Sequence, residues 1–192
     1  MRFLGHLIVM IVVALAVGFG LSWYALSDGR FFGAIDVGPW SAWRDAGSPT
    51  PDPYTRAFVS RNGALQLGAG EGLQFVATTD SDGLRLDRAC RYRVDGTTPV
   101  ATFWTLVPTS PDGAVIARPG GPAAFNSTRI ARAEDGSMQL YVGKTLSPYN
   151  WLEITGEGPF QLALTLYDTI SFTGLGSSSV TTLPAIIREA CS

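Results

Sequence analysis

Apolar residues follow three different rhythms along this chain. From Leu7 to Leu26 (LIVMIVVALAVGFGLSWYAL) no side chain charged at neutral pH occurs in 20 residues. At a helical rise of 1.5 Å per residue such a run matches the roughly 30 Å hydrocarbon core of a bilayer, which predicts one membrane-spanning helix. A second rhythm, Tyr54, Ala57 and Phe58, has helical spacing. Asp52 stands ready to accept the first free amide protons, Pro53 suits the first helical position and Asn62-Gly63 offers a stop, so a short helix is expected over Pro53 to Arg61. The stretch before it, Val37 to Pro53, is dense in Pro, Gly, Trp and Asp and reads as ordered loop.

From Leu73 onward the period becomes two. Leu73, Phe75 and Ala77 alternate with Gln74, Val76 and Thr78, and Phe160, Leu162, Leu164 and Leu166 alternate with Gln161, Ala163, Thr165 and Tyr167. These are half-buried strands. Arg91 to Asp95, Ala101 to Val107, Ala114 to Ala117, Thr128 to Arg132 and Ser137 to Gly143 are shorter segments of the same kind. Asp82-Gly83, Asp95-Gly96, Asp112-Gly113 and Asp135-Gly136 punctuate them, and Asp-Gly supplies the positive φ that tight hairpin turns need. Strands at this spacing predict an all-β antiparallel sandwich or barrel. Near the end, 174–179 reads as a flexible loop and Thr181 to Ala190 as a last strand or short helix. The expected organisation is an anchor over 1–27, a connector over 28–36 and one β domain over 37–192.

Trp23 and Tyr24 fall near the end of the apolar run, where amphipathic rings favour the membrane interface, and Arg2 precedes it. The positive-inside tendency places the N-terminus in the cytoplasm and the β domain outside. A cleaved signal peptide would need a shorter apolar core and a small-x-small site, for which Gly18-Phe19-Gly20 is a poor substitute, so an uncleaved anchor in the bilayer through residues 7–26 is expected. For an exported domain the two cysteines, Cys90 and Cys191, suggest a disulfide. After the anchor, 13 basic residues face 16 acidic ones. That mild negative balance gives nucleic acid nothing to bind.

The single histidine is His6, so the exported part has none. A Ser-His-Asp or Cys-His arrangement, a histidine-based metal site and a histidine general base are thereby excluded from it, and no metal or cofactor is expected. Carboxylate chemistry remains: Glu153 and Glu157, flanked by Tyr149, Asn150 and Trp151 in SPYNWLEITGEGPF, and Asp168 further on, are the candidates for a glycosidase-like pair. The bland alternative makes Trp151 a plug at one end of the sandwich and the glutamates solvated loop residues. Asp80 and Asp82 lack the complete calcium-loop spacing and read as turn-formers. Trp40, Trp43, Arg44 and Tyr54 concentrate aromatic rings and guanidinium groups in a way that suits a partner-facing surface or, equally, a lid on the core. Arg85, Arg88, Arg91 and Arg93 crowd Cys90 and suit a small anion or a solvated face.

The runs GPWSAWRDAGSPTPDPYTRA, ATTDSDGLRLDRACRYRV, FNSTRI and NWLEITGEGPFQLALTLYD occur in order and resemble the DUF1214 family of bacterial proteins of uncharacterised function. The resemblance spans Val37 to Cys191. It departs from the family at Glu153, where a proline is usual after Asn-Trp-Leu, and at Arg118-Pro119-Gly120-Gly121-Pro122. It implies a jelly-roll-like β-sandwich and a companion with a DUF1254 domain, in the same chain or a neighbouring gene; it supplies no catalytic residue. The expectation is a membrane-anchored, periplasm-facing binding or assembly module, with Asn126, Asn150 and Trp151 joining Trp40, Trp43, Arg44 and Tyr54 as candidate binding residues. Its alternatives are a carbohydrate-active enzyme and a structural envelope protein.

Overall fold

The N-terminal helix α1 (Arg2–Asp28) contains the apolar run. Over Arg2–Tyr24 its mean hydropathy is 2.5 and none of it is buried against the rest of the protein. Among the described residues it is the one helix long and apolar enough to cross a membrane. A helix apolar on all sides and uncovered by protein is matched by lipid rather than water. A computed structural model describes residues 2–28, 34–62, 67–68, 70–168 and 182–191. The expected loop over 174–179 lies outside the described residues.

The β domain is a two-layer sandwich. One sheet has six strands, in the order β1 (Ala34–Val37), β2 (Trp40–Trp43), β3 (Gly72–Ala77), β9 (Gln161–Tyr167), β5 (Phe103–Thr109) and β6 (Phe125–Asn126), every neighbour antiparallel. The other has four, β10 (Ala185–Cys191), β4 (Cys90–Gly96), β7 (Met138–Gly143) and β8 (Asn150–Glu153). Alternate residues of both sheets turn inward: Trp40, Phe75, Trp104 and Leu164 from the first meet Tyr92, Val94, Leu140, Leu152 and Ile186 from the second in one core. Leu86, Ile116, Ile154 and Phe160 belong to the same buried cluster.

Local chemistry explains several element ends. Helix α2 (Pro53–Asn62) starts where expected because the Asp52 Oδ1 accepts the amide protons of Tyr54 and Thr55 at 2.9 and 3.1 Å. Asp-Gly works as a turn in three places and by one design. At Gly83, Gly113 and Gly136 φ is +83°, +87° and +80°. Each glycine amide donates to the carbonyl three residues back, at Asp80, Ser110 and Ala133, and each of those residues donates its own amide to the carbonyl four residues on. This is a type I turn followed by a left-handed glycine, which needs positive φ at the glycine only. No neighbour crowds a Cβ at these three sites, so the demand is conformational rather than steric.

The fourth pair behaves otherwise. Asp95 and Gly96 are the last residues of β4, paired with Gln139 and Met138. Two expected strands also fail to form. Ala114 to Ala117 contributes a single bridge at Val115, since the Pro- and Gly-rich run 118–122 follows at once. Thr128 to Arg132 is turned aside because the Asn126 Oδ1 accepts both the amide and the hydroxyl of Thr128, which bends the chain after β6. Conversely, part of the expected loop over 37–53 is the β1–β2 hairpin, closed by Gly38 at φ +60° and Pro39. The pair β7–β8 is parallel. Six residues, 144–149, suffice for that reversal because β8 is only four residues long, so the chain has only to return about 10 Å.

The last strand closes the second sheet. Cys90 and Cys191 are register partners at the β4–β10 edge and form a disulfide spanning 101 positions. In the chain-entropy view a loop of that size stabilises by up to about 4.7 kcal/mol, less any strain. At the other end of β10, the Trp40 Nε1–H donates to the carbonyl of Pro184 at 2.8 Å, tying the two sheets together. Trp40 is fully buried, whereas Trp43 sits at the opposite parity of β2 and keeps part of its surface in solvent. Trp40→Ala therefore should cost about 3 to 5 kcal/mol of stability by leaving a cavity, and Trp43→Ala distinctly less. Urea unfolding of the two variants compares them directly, and equal losses would contradict the placement of Trp40.

Candidate functional site

The aromatic segment divides between core and surface. Trp40 cannot face a partner: positions 40 and 42 of β2 point inward and both are wholly buried. This corrects the expectation that it belongs to a binding surface. Trp43 is half-buried at the end of β2, and Tyr54 is 41% exposed on the first turn of α2. The side chain of Arg44 lies outside the described residues.

The two asparagines are structural. Asn150 is buried, accepts the Ala131 amide at 2.8 Å and donates to the carbonyls of Ala131 and Gln139 at 2.8 and 2.9 Å, so its hydrogen-bonding capacity fastens the 127–132 segment to β7 and β8. Asn126 shapes the turn described above. Between Gly143 and Asn150 the connecting loop lifts Leu146 and Tyr149 into solvent, at 78% and 84% exposure. Tyr149 does so with φ at +70°, a conformation that L-residues other than Asn, Asp and His seldom adopt. Buried Ser147 and Asn150 flank it on the chain and hold the loop in place.

Glu153 and Glu157 share one open depression of about 400 Å³ with Lys144, Ile154, Thr155 and Gly156. The Glu153 side chain is 17% exposed and lies 3.5 Å from the Arg118 Nε. Asp168 does not join them. It follows the far end of β9, where it accepts the Thr102 hydroxyl at 2.9 Å, while Glu157 precedes the strand's start. A seven-residue strand is about 23 Å long. That is well beyond the roughly 5 to 10 Å at which two carboxyl groups cooperate on a glycosidic bond.

Two of the four arginines around Cys90 are neutralised by carboxylates within the fold. Glu189 meets Arg91 and Arg93 at 3.0 and 3.3 Å, and Asp95 meets Arg93 at 2.9 Å, on the outer face of the four-stranded sheet. Arg88 donates to the Thr155 carbonyl at 3.3 Å. Asp80 is a turn-former with an additional task. One oxygen accepts the amides of Asp82 and Leu84 at 3.2 and 2.8 Å, and the other accepts the Arg188 Nε of β10 at 2.9 Å. Ser81 and Ile186 exchange two further bonds of 2.9 Å. The Arg188 guanidinium lies 5.4 Å from the centre of the Tyr92 ring, and burial pushes the Tyr92 hydroxyl above its ordinary value. This staple was not visible in sequence, because Asp80 and Arg188 are 108 positions apart.

These features define a class: a two-sheet β-sandwich closed by a disulfide and carried behind one apolar helix. The chain belongs to the family described as protein of unknown function (DUF1214), whose sequence profile matches residues 71–171, just over half of the 192. The aromatic run before Asn62 precedes that stretch. The crystal structure of the VPA0106 protein from Vibrio parahaemolyticus is similar, with a TM-score of 0.57 and 19% identity over 71% of this chain and 35% of that one. At this identity the likeness concerns the fold alone. An uncharacterised protein from Burkholderia cenocepacia gives a TM-score of 0.43 and 18% identity over 93% of this chain and 52% of the other. The chain thus spans about a third and about half of the lengths of these two structures. No curated protein matches it.

The Asp80–Arg188 staple yields a stability prediction. Removing one partner of a buried pair costs about 3 to 5 kcal/mol, and Arg188 is a quarter exposed, so Arg188→Leu is expected near or below the lower end of that range. Because the folded state holds the Tyr92 proton more tightly than the unfolded chain, its contribution is complete below about pH 10 and is lost as pH climbs through the raised value. Thermal unfolding of Arg188→Leu at pH 7, and of the wild type against Tyr92→Phe across alkaline pH, measures both. An unchanged midpoint for Arg188→Leu would remove the staple from the account.

Proposed function

We propose that the chain is a binding or assembly module of the bacterial envelope, held in the inner membrane by α1 with its N-terminus in the cytoplasm. Its sandwich faces the periplasm and works with a companion carrying a DUF1254-type domain. The apolar helix and the disulfide support the export, since such bridges persist in oxidising compartments. Family membership supports the companion. Trp43, Arg44 and Tyr54, near the anchor, are proposed as secondary contacts.

The observation that carries the assembly reading is Tyr149. An aromatic side chain set out in solvent on a left-handed backbone position, beside an equally exposed Leu146, is costly in the free protein. Aromatic anchors on pre-ordered loops are typical of interface hot spots, where truncation costs on the order of 2 kcal/mol, about thirtyfold in affinity. Tyr149→Gly separates this role from a structural one. Glycine accepts positive φ freely, so stability is expected to hold or rise slightly, while recovery of the companion by crosslinked pull-down from native membranes falls. Unchanged recovery, or no DUF1254-type protein with the wild type, would overturn the reading.

A further inference from the structure

We propose that the outer face of the four-stranded sheet, centred on Tyr141 and Trp151, is a binding platform for a neutral oligosaccharide of pyranose units. This goes beyond the assembly role, and it relies on that reading only for the domain's exposure to the envelope.

The platform follows from the unexpected parallel pairing. Tyr141 of β7 and Trp151 of β8 are register partners. Their chain neighbours Leu140, Val142, Asn150 and Leu152 are buried in the core, so both aromatic side chains leave the opposite face of the sheet. Partner positions on adjacent strands stand about 5 Å apart, so both aromatic side chains leave the same face from neighbouring positions, each retaining part of its surface in solvent. The Trp151 Nε1–H donates to the Gly143 carbonyl at 3.2 Å, which satisfies its polar edge within the protein and fixes the indole along the strand. Large aromatic side chains in adjacent positions are the exception on a solvated sheet face, which otherwise carries polar groups. Here the rest of that face does so: Arg93, Asp95, Gln139 and Glu153 surround the pair.

Pyranose rings match this arrangement because one face presents aliphatic C–H groups to an aromatic ring while the rim offers hydroxyls to flanking donors and acceptors. Charge decides the ligand's class. The arginines of the face are matched by Glu189 and Asp95, and Glu153 is matched by Arg118. The depression continuing from Glu153 adds Lys144, the single lysine of the chain, and Glu157. Among the described residues these two enter no ion pair, so one free cation and one free carboxylate stand together. Such a balanced surface offers no net attraction to a polyanion and provides both a donor and an acceptor for uncharged hydroxyl and amide groups.

The test uses the full chain in lipid nanodiscs, free of sugar-based detergent, titrated with chitotetraose, cellotetraose and, as an anionic probe, oligogalacturonate, and followed by calorimetry and ligand-observed NMR. One of the two neutral sugars is expected to bind, with affinity reduced at least about tenfold by Trp151→Ala and by Tyr141→Ala. Trp151→Phe, which keeps a ring and guards against a folding defect, is expected to retain most of the binding, and Leu84→Ala, on the exposed turn after Asp80, all of it. Absence of binding to both neutral sugars, preference for oligogalacturonate, or binding indifferent to both alanine variants would overturn the proposal. None of these results bears on companion recovery, so this proposal and the assembly reading fail separately.

Discussion

Without β10 held against β4, the four-stranded sheet would have an open edge, and the inner positions Tyr92 and Val94 would lose the strand that helps cover them. That closure is the constraint on which the sandwich rests, and it is demanding, because β10 is the last strand and its partner lies about 100 positions earlier. Loop closure over such a distance is entropically costly, and three separate interactions offset it. The disulfide fixes the far end of β10, the Asp80–Arg188 pair its middle, and the Trp40–Pro184 hydrogen bond its start. Each uses a different chemistry, and the last also joins the two sheets.

The same closure constrains where the protein works. A covalent staple between Cys90 and Cys191 persists where thiols are oxidised, which agrees with an apolar helix that has no protein surface to cover it. With β10 and β4 locked on one side, the other side of the sheet is β7 and the short parallel β8. There the chain reverses through an exposed loop, and Tyr141 and Trp151 are register partners on the outer face. The long-range bonds thus gather on the β10–β4 side of this sheet, while Tyr149 and the Tyr141–Trp151 positions fall toward the β8 edge.

Features set by nearest neighbours were legible in the sequence. Asp52-Pro53 marked the start of α2, the alternation through Leu73–Ala77 and Phe160–Tyr167 marked the central strands, and three of four Asp-Gly pairs marked turns. What escaped was set by contacts distant in the chain or by segments too short to show a period. Four-residue β2 and β8 offer only two inward positions each, so Trp40 passed for a surface residue and the Asn150–Glu153 alternation for a loop. Asp95-Gly96 carries the same dipeptide as the true turns, but β7 pairs along it, so the positive φ of Gly96 (+129°) falls at a strand end instead of in a hairpin turn. Glu153, Glu157 and Asp168 are close in sequence, yet β9 carries Asp168 a strand's length from the other two.

Covalent closure of the sandwich at β10, in a compartment where thiols are oxidised, is open to thiol trapping of Cys90 and Cys191 in intact cells. A maleimide reagent is expected to label neither cysteine until the protein has been denatured and reduced, after which both react. Labelling of both residues after denaturation without reductant would show free thiols, and would contradict the closure and the oxidising compartment together.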